Sequence, residues 1–450
     1  MAKRLVSLVA LLAFGGAMPA LAESLPEALA SAYATNPTLE AQRASLRATD
    51  EEIAKALSGW RPTVTVQGSI GHTSSDSKVK GISASTDYDP WSIALQGSQP
   101  IYRGGRTIAE TSAAENQIQA GRAQLKSTEQ QVLLAVVNAY VNVQTNQAVV
   151  ELNQKNVTVL QRELDASRDR FRVGEVTRTD VAQAEARLAA AVSTLKSAEA
   201  DLNAARQAYE KVVGHAPGTL SPVPQLPPLP PSNDEVRAVA LAENPDLIAA
   251  RYAEAASRDA VDVATSAIKP QVALTGTVAR VKDQSASTVG VTTNQAEVAV
   301  QVTVPLYQSG SEYATIRQQQ QTASQRLSQV SEAQRTVIEG ASNANNQLQA
   351  ARAVIVSQQQ AVQANTLALE GVRQEASVGS RTVLDVLNAE QELLNSQVAL
   401  VRAQGSEQSA AYSLLSAIGR LTAENLNLSG DRYDSTKHYD STRGRWIGFD

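Results

Sequence analysis

Val136, Val143, Val150, Val157, Leu164 and Phe171 stand seven residues apart, and the run closes in Val173-Gly174. The same ladder returns 205 positions downstream as Ala341, Leu348, Ile355, Val362, Leu369 and Ala376, closing in Val378-Gly379. A heptad seam of this length without a proline dictates a very long helix of coiled-coil type, apolar along one stripe and polar elsewhere. A chain built twice around such a helix is a conduit or a scaffold before it is a catalyst.

The duplication covers more than the helices. Asn244-Pro245 answers Asn36-Pro37 and Lys269-Pro270 answers Arg61-Pro62, both 208 positions apart. Pro305 to Gly310 answers Pro100 to Gly105 at 205, so the length change falls inside the intervening loops, where it costs least. The 450 residues therefore form one architecture of two halves rather than three independent domains. Forty basic and 45 acidic residues give a net charge of −5, which does not favour a nucleic-acid partner. Aromatics make up only 4%, too few for an ordinary globular core.

Lys3 and Arg4, the apolar stretch Leu5 to Phe14 and Ala20-Leu21-Ala22 read as an export signal cleaved after Ala22. The apolar stretch is too short to span a bilayer. With no cysteine there is no disulfide and no residue for an N-terminal lipid anchor.

Two changes of period mark the strands. Val64, Val66, Gly68 and Ile70 alternate with polar residues, and Trp91, Ile93, Leu95 and Gly97 do so on the return. Val272, Leu274, Gly276 and Val278, then Val298, Val300, Val302 and Val304, repeat the pattern. The expected layout is a signal peptide over 1–22 and a first repeat over 23–215. The repeat holds a helix, a β-hairpin at 61–101, a long helix at 105–172 and a partner helix at 177–213. A proline-rich linker follows at 216–232, where seven prolines imply an extended, polyproline-like path. The second repeat fills 233–419 with a helix, a hairpin at 269–306, a long helix at 310–377 and a partner at 382–418. Between Ile70 and Asp89 the composition reads as a loop, and 420–450 as a flexible polar tail, with a loose docking on the helices as the alternative.

Four strands of this length match tilted strands of an outer-membrane barrel. One chain cannot close such a barrel, because its sheet edges would stay open; several copies can. Catalysis has no foothold. His72, His215 and His438 lie in a strand end, a linker and a tail, no spacing suits a metal, and Arg103-Gly104-Gly105-Arg106 lacks the lysine and hydroxyl residue of a phosphate-binding loop. Gly104 reads as the bend from strand to helix. No cofactor is called for.

The export signal, the duplicated hairpin and helix, Pro100-Ile101-Tyr102 with Gly104-Gly105, and two V-G-x-x-T turns each followed by Asp-Val (Asp180-Val181 and Asp385-Val386) together resemble the TolC family. The likeness covers 24–420. It implies an α+β membrane protein: a homotrimer whose twelve-stranded β-barrel in the outer membrane continues into a periplasmic α-helical barrel. The implied partners are outer-membrane lipid, a periplasmic adaptor and an inner-membrane ABC or proton-driven transporter. The implied function is the exit duct of an export system. Leu25-Pro26-Glu27-Ala28-Leu29 and the Tyr- and Asp-rich tail resemble the type I protein-secretion branch, with multidrug efflux as the alternative. A periplasmic coiled-coil scaffold without a channel is the rival from another class.

Two sets of site residues follow. Val173, Gly174, Thr177, Val378, Gly379 and Thr382 form the hairpin tips, where an adaptor would dock; a plain helix–helix turn is the competing reading. Thr179, Asp180, Arg381 and Asp385 are implied by the resemblance to form a periplasmic gate, Thr179 and Asp180 pairing with Arg381 across neighbouring hairpins and Asp385 forming a carboxylate ring. Against that, each aspartate also suits the positive start of its helix. Asn388 and Ala376 stand where better-described members of the family carry an acid and a tyrosine, so the ring is expected to be weaker and the latch thinner.

Overall fold

A computed structural model describes residues 22–224 and 228–448. The expected signal peptide, apart from Ala22, lies outside the described residues. In the first repeat α1 (Leu25–Thr35) and α2 (Pro37–Ser58) precede β1 (Thr63–Ile70), β2 (Thr73–Val79), β3 (Ile82–Tyr88) and β4 (Trp91–Arg103). Then come α3 (Arg106–Arg172) and α4 (Arg178–Val213). The second repeat runs α5 (Asn233–Glu243), α6 (Pro245–Thr265), β5 (Gln271–Lys282), β6 (Thr292–Thr303), α7 (Ser311–Ser377) and α8 (Val383–Ala417), and α9 (Lys437–Arg443) lies in the tail. The two long helices have 67 residues each, about 100 Å at the α-helical rise.

Each repeat breaks its opening helix in the same way. The side chain of Asn36 accepts the N–H of Thr38 at 2.9 Å, and that of Asn244 accepts those of Asp246 and Leu247 at 3.0 and 3.3 Å. A proline follows each asparagine at the first helical position, where its missing N–H costs nothing.

The chain divides into two compact units. One comprises Met1–Leu39, Glu129–Ala240 and Gly340–Arg432 and is purely helical among its described residues, save a bridge between Glu23 and Leu220. The heptad residues make its core: Val136, Val143, Leu164, Ala341, Leu348 and Leu369 are buried in α3 and α7, and Leu195, Leu202 and Tyr209 in α4. The linker does not run free. Glu23 N donates to Thr219 O at 2.8 Å and Ser221 N to Glu23 O at 2.9 Å, so the start of the described chain pairs with it as a short parallel bridge.

The other unit comprises Glu40–Thr128, Leu241–Glu339 and Tyr433–Asp450 and carries all the strands. Its main sheet has the antiparallel order β1-β4-β5-β6. The β4–β5 ladder shifts register between Pro100 and Tyr102, where proline can donate no ladder hydrogen bond. The apolar residues of the outer strands are bare: Ile70 is 87% exposed and Val298 78%.

Two expectations are corrected. The segment expected as a loop after Ile70 forms a second hairpin, β2 paired with β3 from Thr73↔Tyr88 to Val79↔Ile82. Its turn residues Lys80 and Gly81 both have positive φ, 49° and 83°, as a two-residue hairpin turn requires. Threonine suits a strand, but serine does not mark one, and with both faces polar there is no hydrophobic alternation to reveal it. Among the described residues there are thus six strands, four of them in the main sheet. The tail expected to be flexible is also packed. Leu421, Ala423 and Leu428 are buried in the helical unit, and α9 lies in the strand-bearing unit. There Arg43 stacks on Tyr433, Arg122 on Tyr439 and Arg61 on Trp446, at 5.1, 5.3 and 4.9 Å to the ring centres. Polar composition concealed a segment whose aromatic rings meet arginines far away in sequence.

Candidate functional site

The α3–α4 and α7–α8 turns are built alike. Gly174 and Gly379 adopt φ of 82° and 80°, and a Cβ on either would meet nothing within 4 Å. Gly174 N donates to Phe171 O and Glu175 N to Arg170 O, at 3.0 and 2.9 Å; Gly379 N and Ser380 N make the equivalent bonds to Ala376 O and Glu375 O. These bonds satisfy the last carbonyls of each long helix, as in a glycine-terminated cap. Val173 and Val378 then project at the tips, 72% and 79% exposed.

Thr177 and Thr382 begin the returning helices. Asp180 Oδ2 accepts from Thr177 N and Oγ1, both at 2.8 Å, while Asp180 N donates to Thr177 Oγ1 at 3.3 Å. Asp385 repeats the arrangement with Thr382 at 3.0, 2.8 and 3.3 Å. Each is a reciprocal capping box. The Thr382 backbone N–H, with its hydroxyl next in importance, holds the Asp385 carboxyl below the usual carboxylate range. Helix capping is therefore one function of both aspartates.

The tips differ in one charge pair. Arg381 Nε donates to Glu375 Oε2 at 2.8 Å across its own turn. The equivalent positions of the first repeat hold Val176 and Arg170, which cannot pair in this way. Thr179 is exposed beside Asp180. Within the single chain, no hydrogen bond or ion pair among the described residues joins Arg381 to Thr179 or Asp180, so those three are not brought together by one copy.

Higher on the hairpins lie contacts that sequence reasoning missed. Arg168 pairs with Glu185 at 2.7 Å, and Arg373 with Glu390. Both members are displaced by 205 between repeats, a coincidence readable from the duplication itself. Between the hairpins, Arg187 Nη2 donates to Asn388 Oδ1 at 2.7 Å. Leu387 of α8 is buried with Leu160, Leu164, Ala184 and Ala191 of the first hairpin.

Among the described residues no cluster of histidine and carboxylates is placed to hold a metal, and no helix is long and apolar enough to cross a membrane. His72 instead faces Asp89 at 2.8 Å and His438 faces Asp50 at 3.3 Å.

A sheet of long strands with bare apolar side chains, in a chain that also holds duplicated helical hairpins, is the combination expected of an outer-membrane channel protein. The chain belongs to the outer membrane efflux protein family, whose model matches residues 28–215 and 236–420. It is 36% identical to the outer membrane efflux protein BepC of Brucella suis biovar 1, over 95% of this chain and 92% of that one. It is 25% identical to the outer membrane protein TolC of Vibrio cholerae, over 94% of this chain and 97% of that one. In fold it resembles the Campylobacter jejuni CmeC outer membrane channel, with a TM-score of 0.79, 16% identity and coverage of 94% and 89%. The protein is thus a TolC-family efflux channel of the outer membrane with a periplasmic helical extension, and it has no catalytic role.

Proposed function

We propose that three copies close a twelve-stranded barrel and that the assembly is the outer-membrane exit duct of a tripartite efflux system. The observation that carries this reading is the four-stranded sheet with two unpaired edges, β1 and β6. Open edges are not tolerated in hydrocarbon, so further strands must complete the sheet. The bare valines of those strands would then face lipid. The efflux reading takes support from the 36% identity to a protein named for efflux. The features that suggested protein secretion have structural uses instead: Leu25, Ala28 and Leu29 are buried in α1, and the tail is packed against its neighbours.

In this reading a periplasmic adaptor docks on Val173, Gly174 and Thr177 and on Val378, Gly379 and Thr382. Exposed valines offer apolar contact, and the glycines let a partner's backbone approach. Thr179, Asp180, Arg381 and Asp385 form the gate, Arg381 exchanging Glu375 for an acceptor on a neighbouring copy. An inner-membrane pump supplies the energy.

Deleting the gene should sensitise cells to apolar drugs, and the protein should stay in detergent-extracted outer membrane as a heat-sensitive trimer. A monomer removed by salt would overturn the channel assembly. Unchanged drug tolerance with loss of a secreted protein would restore the secretion reading. Replacing Gly174 and Gly379 together with tryptophan should abolish export while trimers still form; surviving export would place docking elsewhere.

A further inference from the structure

The chain contains three tryptophans, and all three stand at the ends of the main sheet. Trp91 opens β4, opposite Ile70 of β1. Trp60 lies three residues before β1, and its carbonyl oxygen accepts Gln99 Nε2 of β4 at 2.8 Å. Trp446 comes from the distant tail, and the Arg61 guanidinium stacks on its ring at 4.9 Å to the centre. A core would bury such rings. Tryptophan at the two ends of a sheet instead suits the water–lipid boundaries of a membrane protein, where the ring is half apolar and half wet.

The spacing fits those boundaries. Trp91 and Tyr102 lie eleven residues apart on β4, about 36 Å along a strand and about 26 Å across a sheet tilted near 45°. The apolar band of an outer-membrane barrel is about 25 Å tall. Tyr102 pairs with Val272, and Val272 with Val302, so the tyrosine shares a face with the valines. At the same end Ile101, Leu306 and Tyr307 are bare. The chain passes from β4 into α3 and from β6 towards α7 here, so this is the periplasmic end of the sheet.

The tail is held down until it reaches this belt. Thr442 is fully buried and its hydroxyl donates to Glu51 Oε1 at 3.4 Å, while Arg443 pairs with Glu115 at 3.7 Å. Past Gly444 the packing stops. Arg61 Nη1 donates to Arg445 O at 2.7 Å and fixes the backbone beside the start of β1. The next two side chains, Trp446 and Ile447, are 66% and 92% exposed. Packing within the chain gives no reason to hold an isoleucine in the open on a backbone so well fixed. From Ser441 to Gly448 the sequence has two arginines and no acid, a charge that suits lipid phosphates.

We propose that Trp446 and Ile447 form an interfacial lipid anchor: the end of the tail seats in the periplasmic leaflet of the outer membrane, with the indole at the headgroup boundary and the isoleucine just below it. This rests on the barrel reading above. It gives the tail a function besides packing, since it ties the base of β1 to the phospholipid surface without adding a strand.

The test uses the full-length assembly in vesicles of phosphatidylethanolamine and phosphatidylglycerol, with and without bromine on the acyl chains. Trp60→Phe with Trp91→Phe leaves Trp446 as the sole indole. Its emission should be blue-shifted, quenched by brominated lipid and protected from acrylamide. Adding Ile447→Asp should abolish that quenching while trimer yield holds. If the doubly substituted chain does not assemble, the loss of bromolipid quenching on Trp446→Phe alone reads the same quantity. A Trp446 quenched by acrylamide and not by bromolipid lies in water, and the anchor is overturned. One shielded from both is covered by a neighbouring copy, which overturns it equally. Trp91, left alone by Trp60→Phe with Trp446→Phe, separates the failures. If bromolipid quenches Trp91 and not Trp446, only the anchor falls; if it quenches neither, the barrel reading falls with it.

Discussion

The hydroxyl of Tyr140, midway along α3, lies 2.9 Å from the carbonyl oxygen of Glu23, which it meets across 117 residues of sequence. It also reaches Ser221 O at 2.6 Å, so one proton is shared between the start of the described chain and the proline-rich linker. Tyr209 packs beside it with ring centres 6.4 Å apart, and both side chains are fully buried. A residue of the heptad-bearing helix thus anchors the two segments that lack regular structure of their own.

This anchoring predicts an alkaline transition. Burial, reinforced by the charges of Glu23 and Glu27, pushes the Tyr140 phenol up to about 12, and burial pushes that of Tyr209 higher still. A raised folded-state pKa means stability that is intact below the ordinary phenol value near 10 and lost as pH rises through about 12. A phenolate would also face two carbonyl oxygens. Tyr140→Phe should cost about 1 kcal/mol at neutral pH, since the carbonyls keep other donors. It should remove the part of the alkaline loss that belongs to Tyr140. Thermal melts between about pH 8 and 12 would check both, and an unchanged pH profile would refute the assignment.

The strand-to-helix bend predicts unequal glycines. Gly104 has φ 65°, and a Cβ there would meet Ser266 O at 2.7 Å and Lys269 Cβ at 2.8 Å; Gly105 has φ 85° and open space. Gly104→Ala should therefore cost about 2 kcal/mol or more, and Gly105→Ala only the strain of its backbone, about 1 kcal/mol. The second repeat supports the distinction. Ser309 occupies the place of Gly104 at φ 58°, so a side chain is accommodated in this conformation at the equivalent bend. Equal losses of trimer yield from the two substitutions would count against this account.

The packed tail predicts a graded series. Tyr439 lies against the Ile53, Ala56, Ala114 and Ile118 cluster and between Arg122 and Arg443, whereas Trp446 is 66% exposed over Arg61. Tyr439→Ala should lower stability by about 1–3 kcal/mol, and Trp446→Ala by less than about 1 kcal/mol. Thermal melts rank the two, and the reverse order would mean that the rings are not what hold the tail.

The parts of the molecule that share a period with their core were legible in advance. Val136 to Leu164 and Ala341 to Leu369 repeat every seven residues because each faces the same seam, and Val64 to Ile70 alternate because a strand has two faces. The β2–β3 hairpin was not legible, for it buries no apolar face and so leaves no pattern. Neither was the tail, held by Tyr433 on Arg43 and Tyr439 on Arg122, since contacts that distant in sequence have no local signature. At the tips, the placement of Asp180 and Asp385 at the positive starts of their helices followed from the sequence. The Arg187–Asn388 bond did not, because it depends on how two hairpins are placed and on no spacing within either.

The last prediction separates the two functions of Asp385. As a cap it accepts the N–H and hydroxyl of Thr382; as part of a ring it supplies one negative charge per chain to the mouth. Asp385→Asn keeps an acceptor for the cap and removes the charge, so cation selectivity should fall while trimer yield holds. Asp385→Ala removes both, and should also loosen the start of α8. The pH dependence has a definite sign. The Thr382 N–H holds the carboxyl below its ordinary range, so the charge persists as pH falls through the usual carboxylate values and is lost only further down. The helix-start stability it provides is likewise present above the unfolded-state value and disappears as pH falls through the lowered one. Reversal potentials across a salt gradient, measured from neutral toward acid pH, should therefore stay cation-selective well into the carboxylate range in wild type. They should be flat and low throughout in Asp385→Asn. If Asn matches wild type at every pH, Asp385 is a helix cap and the mouth carries no charge ring.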